Sequence, residues 1–317
     1  MGTATKVPET RDMSGEELSA DEAWAALRRY GGGSLLRDAF LRFRYADGFS
    51  HSRALALQTV LALIPMAIAF VGLSTTLHTE DIGRLAELTI HRIARGPSAE
   101  VVDDALARSR RRAGDGAAAA LWLGALFSLV NVTTAMCQIE RGANRIYGNE
   151  RDRPFNRKYL RGLVMSVSAG LPLGLGFVVM VAGGDLASAA VTVYHLDDSA
   201  RGAWDILRWP VGLLLALISA SAVFRRSPRR KQPGYTWLAF GAAVYLVLWM
   251  TLTWLLSLYL NLSGSFDAVY GPLSAFMSLL LWAYLTSIAL FLGLSFAAQL
   301  EAVRGRCPGP IQTDPGV

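Results

Sequence analysis

Cysteine is nearly absent, with Cys137 and Cys307 the only two in 317 residues. Lacking a CxxC pair or a dense cysteine pattern, the chain offers neither a disulfide framework nor a cysteine-type zinc site, and both thiols read as inert. Histidine is as sparse. His51, His78, His91 and His195 are scattered, without the HxxxH or HxH spacing that brings two imidazoles to one metal. A nucleophile elbow, a phosphate loop and a dinucleotide fingerprint are all missing. Charge is also scarce, at 18% of residues against about 25% in soluble domains. These deficits argue against an enzyme, and no cofactor is expected. Nor is a cleavable signal peptide apparent, because the first fifty residues are polar.

What the chain has instead is apolar residues, 52% of the total. They fall in six long runs, near 54–77, 117–136, 162–183, 204–224, 236–260 and 273–300. Each matches the roughly 20 residues that a helix needs to cross a bilayer core. Barrel strands alternate apolar and polar residues, and these runs do not. In hydrocarbon a helix satisfies its own backbone groups within one segment. The expected fold class is therefore all-α, a polytopic membrane protein with six transmembrane helices plus N-terminal and loop amphipathic helices. Its organisation reads as a polar N-terminal segment at 1–34, a membrane domain at 35–302 and a disordered tail at 303–317.

Charge distribution sets the orientation. With the N-terminus inside, the inner segments hold 22 Lys and Arg residues and the outer ones 8. Positive charge collects on the cytoplasmic side, so both ends are expected there. The basic stretch IERGANRIYGNERDRPFNRKYLRG at 139–162 then reads as a cytoplasmic loop rather than a nucleic-acid grip, since no reading motif accompanies it. The long 78–116 segment carries seven basic and seven acidic residues. Leu85, Leu88 and Ile93 there predict a short amphipathic helix on the outer surface.

Ahead of the first run, Ser19 and Glu22 fit a capping box whose helix ends at Gly31-Gly32-Gly33. In SLLRDAFLRFRYADG, Leu36, Phe40 and Phe43 share a face and Arg37, Arg42 and Arg44 point to water. Such a helix lies in an anionic membrane surface or packs under the bundle, and the residues leave both open. Trp204, Trp209, Tyr235, Trp237 and Tyr259 read as interfacial aromatics at span ends.

Within the spans almost nothing is ionisable, which disfavours a proton relay. One polar pattern stands out. At 100° per residue Asn131, Thr134, Gln138, Arg141 and Arg145 fall within a sector of about 80°. They either hydrogen-bond between helices or line a wet path that ends in two arginines. Pro65, Pro172 and Pro210 are candidate kinks, and Gly170, Gly174 and Gly176 candidate points of close helix approach.

Three stretches together resemble the YihY/BrkB family of bacterial inner-membrane proteins, once labelled ribonuclease BN. The first is ADGFSHSRALALQTVLALIPMAIAF, with Asp47, Leu61 and Pro65. The second is NRIYGNERDRPFNRKYLRG, with Asn144, Ile146, Tyr147, Arg153, Phe155 and Arg157. The third is VYGPLSAFMSLLLWAYLTSIALFLGLSFAAQL, with Tyr270, Gly271, Leu281, Trp282, Tyr284 and Gly293. The likeness spans roughly 35–302 and implies six helices with both ends cytoplasmic. The chain departs from the family pattern at Gln58-Thr59, where aromatics are usual, and at Gly293-Leu294-Ser295, where Gly-Ala-Glu is common.

The functional expectation is a plasma-membrane protein that moves or handles a small or lipidic solute. A scaffold recruiting partners through its basic loop is the alternative, and a ribonuclease is disfavoured. Expected partners are the bilayer and anionic lipids at the cytoplasmic face; homo-oligomerisation is left open and no nucleic acid is expected.

Overall fold

In the computed structural model the described residues are 5–10, 20–76, 97–194, 198–262, 266, 270–306 and 309–313. Helices α1 (Ala20–Tyr30) and α2 (Gly32–Tyr45) precede α3 (Gly48–Thr76), α4 (Pro97–Ile146), α5 (Phe155–Tyr194), α6 (Asp198–Arg226) and α7 (Tyr235–Leu262). A 3-10 turn at Gly271–Leu273 leads into α8 (Ser274–Arg304). Among the described residues the structure is all-α apart from a two-residue ladder, in which β1 (Thr5–Lys6) pairs antiparallel with β2 (Gln312–Thr313).

Four helical segments among the described residues are long and apolar enough to cross a bilayer: Leu121–Ile146, Gly202–Arg226, Tyr235–Leu262 and Phe276–Arg304. The apolar runs near 54–77 and 162–183 fall largely on α3 and wholly on α5. Side chains such as Trp122, Phe127, Leu171 and Trp254 are left exposed on these helices, as lipid-facing surfaces require.

Packing is organised around α8. Helix α3 lies along α4, α5 along α6 and α7 along α8, while α8 also touches α1, α2, α3 and α4. Its buried Phe291, Leu294, Ala297, Ala298 and Leu300 meet Leu35, Phe43, Ile146 and Trp237 in one core. The α7–α8 crossing is a backbone contact. A Cβ on Gly293 would stand 2.6 Å from the Gly241 carbonyl oxygen, and one on Gly241 would stand 2.7 Å from that of Gly293. Only glycine at both positions permits this approach. A Cβ on Gly124 in α4 would likewise lie 2.8 Å from the Pro65 carbonyl oxygen.

Pro65, Pro172 and Pro210 lie inside α3, α5 and α6, and none of these helices is interrupted. Of the three candidate packing glycines, Gly176 faces the Gly212 carbonyl at a Cβ-equivalent distance of 3.2 Å. Gly170 and Gly174 face open space instead. Because they sit on the exposed side of α5, their lack of a side chain brings no neighbour closer.

Several expectations need correcting. Residues 97–116 belong to α4 rather than to a loop, a helix of 50 residues and thus about 75 Å. The sequence there, with Asp104 four residues before Arg108, favours continued helix. Leu85, Leu88 and Ile93 lie outside the described residues, as does Ser19 of the capping box. Arg42 is not turned to water but is fully buried, together with Leu35, Ala39 and Phe43. Leu36 and Phe40 form the outer face of α2, which packs against α8. Trp237 is buried too, with the Arg304 guanidinium 6.0 Å from its ring centroid. The C-terminal tail carries β2, because the turn at Gly305-Arg306 (Arg306 φ 56) ends α8 ahead of this segment, where β2 pairs with the N-terminal strand.

Candidate functional site

The polar stripe divides along its length. Asn131 Nδ2 donates to the Phe127 carbonyl and Thr134 Oγ1 to the Val130 carbonyl, both at 2.8 Å, so each bonds back onto its own helix. Gln138, one turn further, is buried and reaches across to α3. Its Nε2 lies 3.0 Å from His51 Nδ1, which accepts when the imidazole proton sits on Nε2. Arg141 and Arg145 are exposed at the end of the stripe, and Arg141 Nε lies 3.5 Å from Asp152. His51, read as isolated in the sequence, is thus the partner of Gln138.

Beside this seam the loop between α4 and α5 is fastened into the bundle. Glu140, 1% exposed, meets Arg153 at 2.8 Å, and Arg153 also donates to the Ser227 and Pro228 carbonyls at 3.1 and 2.7 Å. Asp152 accepts from Lys158 Nζ at 2.8 Å and from Asn144 Nδ2 at 3.0 Å. Asn144 Oδ1 in turn accepts the Arg229 backbone N–H at 2.7 Å. The stretch 140–158 is therefore tied to the α6–α7 turn by side chains from both.

Burial alone would raise the Asp152 carboxyl; the hydrogen bonds from Lys158 and Asn144 outweigh it and hold the group below its ordinary value. A depressed carboxylate contributes stability above its unfolded pKa and loses it as pH falls through the folded one. Acidification below the ordinary carboxylate range should therefore release this loop. Hydrogen exchange of amides 148–153 is expected to accelerate in that window in the wild type. In Asp152→Asn exchange should already be fast at neutral pH, and equal acid responses in both proteins would refute the assignment.

A second centre lies under the N-terminal segment. Arg42 donates from Nε to Gln299 Oε1 and from Nη1 to the Ile146 carbonyl, both at 3.0 Å, and to the Pro8 carbonyl at 3.4 Å. Arg230 pairs with Glu301 at 3.0 Å, stands 4.7 Å from the Tyr147 ring centroid and donates to Thr10. Burial lowers the Arg42 guanidinium to about 10, with Tyr147 and Glu301 acting the other way and Arg230 adding to the drop. Burial likewise pushes the Tyr147 hydroxyl well up, aided by Glu301. Gly148 (φ 75) lets residues 8–9 cross directly over it, since a Cβ there would stand 2.6 Å from the Glu9 nitrogen.

The sequence pattern turned Arg42 to water and did not single out Gln299, Arg230 or Glu301. Their partners lie up to 257 residues away in the chain, beyond any local period. Asn144, Tyr147 and Arg153 did stand in the family-like stretch, which was the available signal.

Long apolar helices around a buried hub, closed at one end by buried ion pairs, define a multi-pass membrane protein. The chain belongs to the virulence factor BrkB family, whose profile matches residues 39–310. It is 24% identical over 262 residues to the putative ribonuclease-like protein YfkH of Bacillus subtilis, covering 82% of this chain and 92% of that one. It is 28% identical over 302 residues to a UPF0761 membrane protein of Stenotrophomonas maltophilia, covering 91% of this chain and 66% of the relative. A UPF0761 membrane protein of Xanthomonas campestris is 27% identical over 284 residues, covering 87% and 63%. The chain thus spans about two thirds of the length of these last two relatives. No solved structure matches it.

Proposed function

We propose that this chain is a six-span plasma-membrane protein with both ends in the cytoplasm, and that it moves or handles a small or lipidic solute. The observation that carries the solute reading is the polar seam between α3 and α4. Gln138 and His51 meet there at 3.0 Å, Thr134 and Asn131 continue it along the same helix face, and Arg141 and Arg145 stand exposed at its mouth. Such a seam gives a polar group a route while an apolar tail stays in lipid. In a background without native cysteines, Asn131→Cys, Thr134→Cys and Gln138→Cys should react with a small aqueous thiol reagent. Leu129→Cys, on the lipid-facing side, should not. Equal protection of all four would remove the path and leave only helix packing.

Topology rests on the excess of basic residues in the inner segments and on the β1–β2 ladder, which supports both ends on one side and hence an even number of spans. A membrane-impermeant thiol reagent should label Ser199→Cys in intact cells. The exposed Asn156→Cys should label only after the cells are opened. Labelling of Asn156→Cys from outside would reverse the orientation.

The scaffold reading has less support, because Arg153 and Lys158 of the basic loop are spent on internal ion pairs. We assign no RNA hydrolysis to this chain. Glu140 and Asp152 are each held by a cation, and among the described residues no three His, Cys, Asp or Glu side chains gather as a metal site would need. Purified protein should cleave structured RNA in magnesium, manganese or zinc no faster than a mock preparation. Activity that survives two columns and vanishes in Glu140→Ala/Asp152→Ala would sink this reading.

A further inference from the structure

At the basic end of the bundle, folding brings Arg161 of α5 to the end of α6, where Arg225 and Arg226 close the helix. Arg161, at the start of α5, donates from Nε to the carbonyl of Arg226 at 3.1 Å. Arg225, beside it at the end of α6, holds its guanidinium 4.3 Å from the centroid of the Tyr235 ring. None of the three is in an ion pair among the described residues, where the nearby acids are already taken: Glu140 by Arg153, Asp152 by Lys158 and Glu301 by Arg230. Arg161 and Arg225 are exposed and Arg226 is half-buried.

Two ordinary causes account for part of this. Cations at the C-terminus of α6 favour its dipole, and positive charge collects on the cytoplasmic side. The hydrogen bond from Arg161 caps the last carbonyl of α6, which accounts for the approach of the two helices. It leaves the Arg161 and Arg226 guanidinium charges within electrostatic reach of each other and outside any ion pair among the described residues, an arrangement that an anion would stabilise.

Depth identifies the anion. Arg161 immediately precedes the apolar run of α5, and Arg225 and Arg226 close that of α6, so the cluster stands at headgroup level. Phe155 (73% exposed), Leu160 (64%) and Tyr235 (41%) flank it with interfacial side chains. We propose that Arg161, Arg225 and Arg226 form a binding site for the phosphodiester headgroup of an anionic phospholipid. Guanidinium forks match phosphate oxygens in pairs, and the exposed apolar side chains receive the upper acyl chains. The inference rests on the membrane-spanning reading of α5, α6 and α7.

The test uses the full chain in nanodiscs of equal phosphatidylglycerol and phosphatidylcholine, read by native mass spectrometry. Phosphatidylglycerol should be retained by the wild type. In the variant Arg161→Gln/Arg225→Gln/Arg226→Gln its affinity should fall on the order of a hundredfold, about fivefold for each lost contact. The charge-matched control Arg28→Gln/Arg29→Gln/Arg37→Gln should keep wild-type retention. In unaltered protein, a phosphatidylglycerol carrying a photoreactive group near its headgroup should cross-link to residues 155–161 or 225–235. Millimolar inorganic phosphate should not displace the lipid. Equal retention by both variants, cross-links elsewhere, or displacement by free phosphate would each overturn the site. Normal thiol topology in a wild-type protein that retains no phosphatidylglycerol would reject this inference alone and leave the six-span reading standing.

Discussion

Gly293→Ala is expected to destabilise the protein by about 1–3 kcal/mol, and Gly293→Leu to leave no monodisperse protein in mild detergent. The added methyl would stand 2.6 Å from the Gly241 carbonyl oxygen and 3.0 Å from the Tyr245 nitrogen. Both atoms belong to the α7 backbone, which has no rotamer to change, so α7 and α8 must separate. Separation spreads along the whole crossing, since the packing on either side depends on the same approach. Gly241→Ala should cost a similar amount, and the double alanine variant less than the sum, because the first substitution already parts the helices. Gly174→Ala is the control: it faces open space and should be neutral or slightly stabilising, as alanine favours helix. Thermal denaturation in detergent measures the four alanine variants. A Gly174→Ala loss as large as that of Gly293→Ala would show that the close crossing is not the cause.

Glu140→Ala should be the most damaging single change in the fastened loop, costing about 3–5 kcal/mol. Its carboxylate is 1% exposed and sits 2.8 Å from Arg153, itself only 12% exposed. Removing the acid strands a cation among the carbonyls of Ser227 and Pro228, which solvate it incompletely. Replacing both partners with apolar residues of similar volume, Glu140→Leu/Arg153→Met, should recover part of that loss because no charge is then left buried. A double variant as unstable as Glu140→Ala alone would mean that Arg153 acts through its carbonyl contacts and not through the pair. Chemical denaturation followed by a fluorophore at Asn156→Cys would separate the two cases.

The helices were legible because long apolar runs are read from one segment at a time, and the described helices cover the six runs almost entirely. The stripe from Asn131 to Arg145 was legible for the same reason, since helical spacing alone aligns it. Arg42 was misread by a rule that sends arginine to water, because the rule sees only its own helix. Its acceptors come from Pro8, Ile146 and Gln299, three segments that meet only in the folded chain. Trp237 failed likewise: near a span end it resembles an interfacial residue until α8 covers it. Gly241 gave no signal, since a single glycine in an apolar run looks alike whether it faces lipid or a backbone, and Gly293 stood out only within the family-like stretch.

The ladder between Thr5–Lys6 and Gln312–Thr313 joins the earliest and latest described stretches of the chain, and the helix at the hub is the last of the described helices in chain order. At about 5–20 residues per second, the N-terminal strand waits on the order of 15–60 s for its partner. Until α8 is made, Arg42 lacks Gln299, Arg230 lacks Glu301 and Gly241 faces no second helix. A chain halted before α8 is therefore not a shorter version of the protein but one with its centre missing.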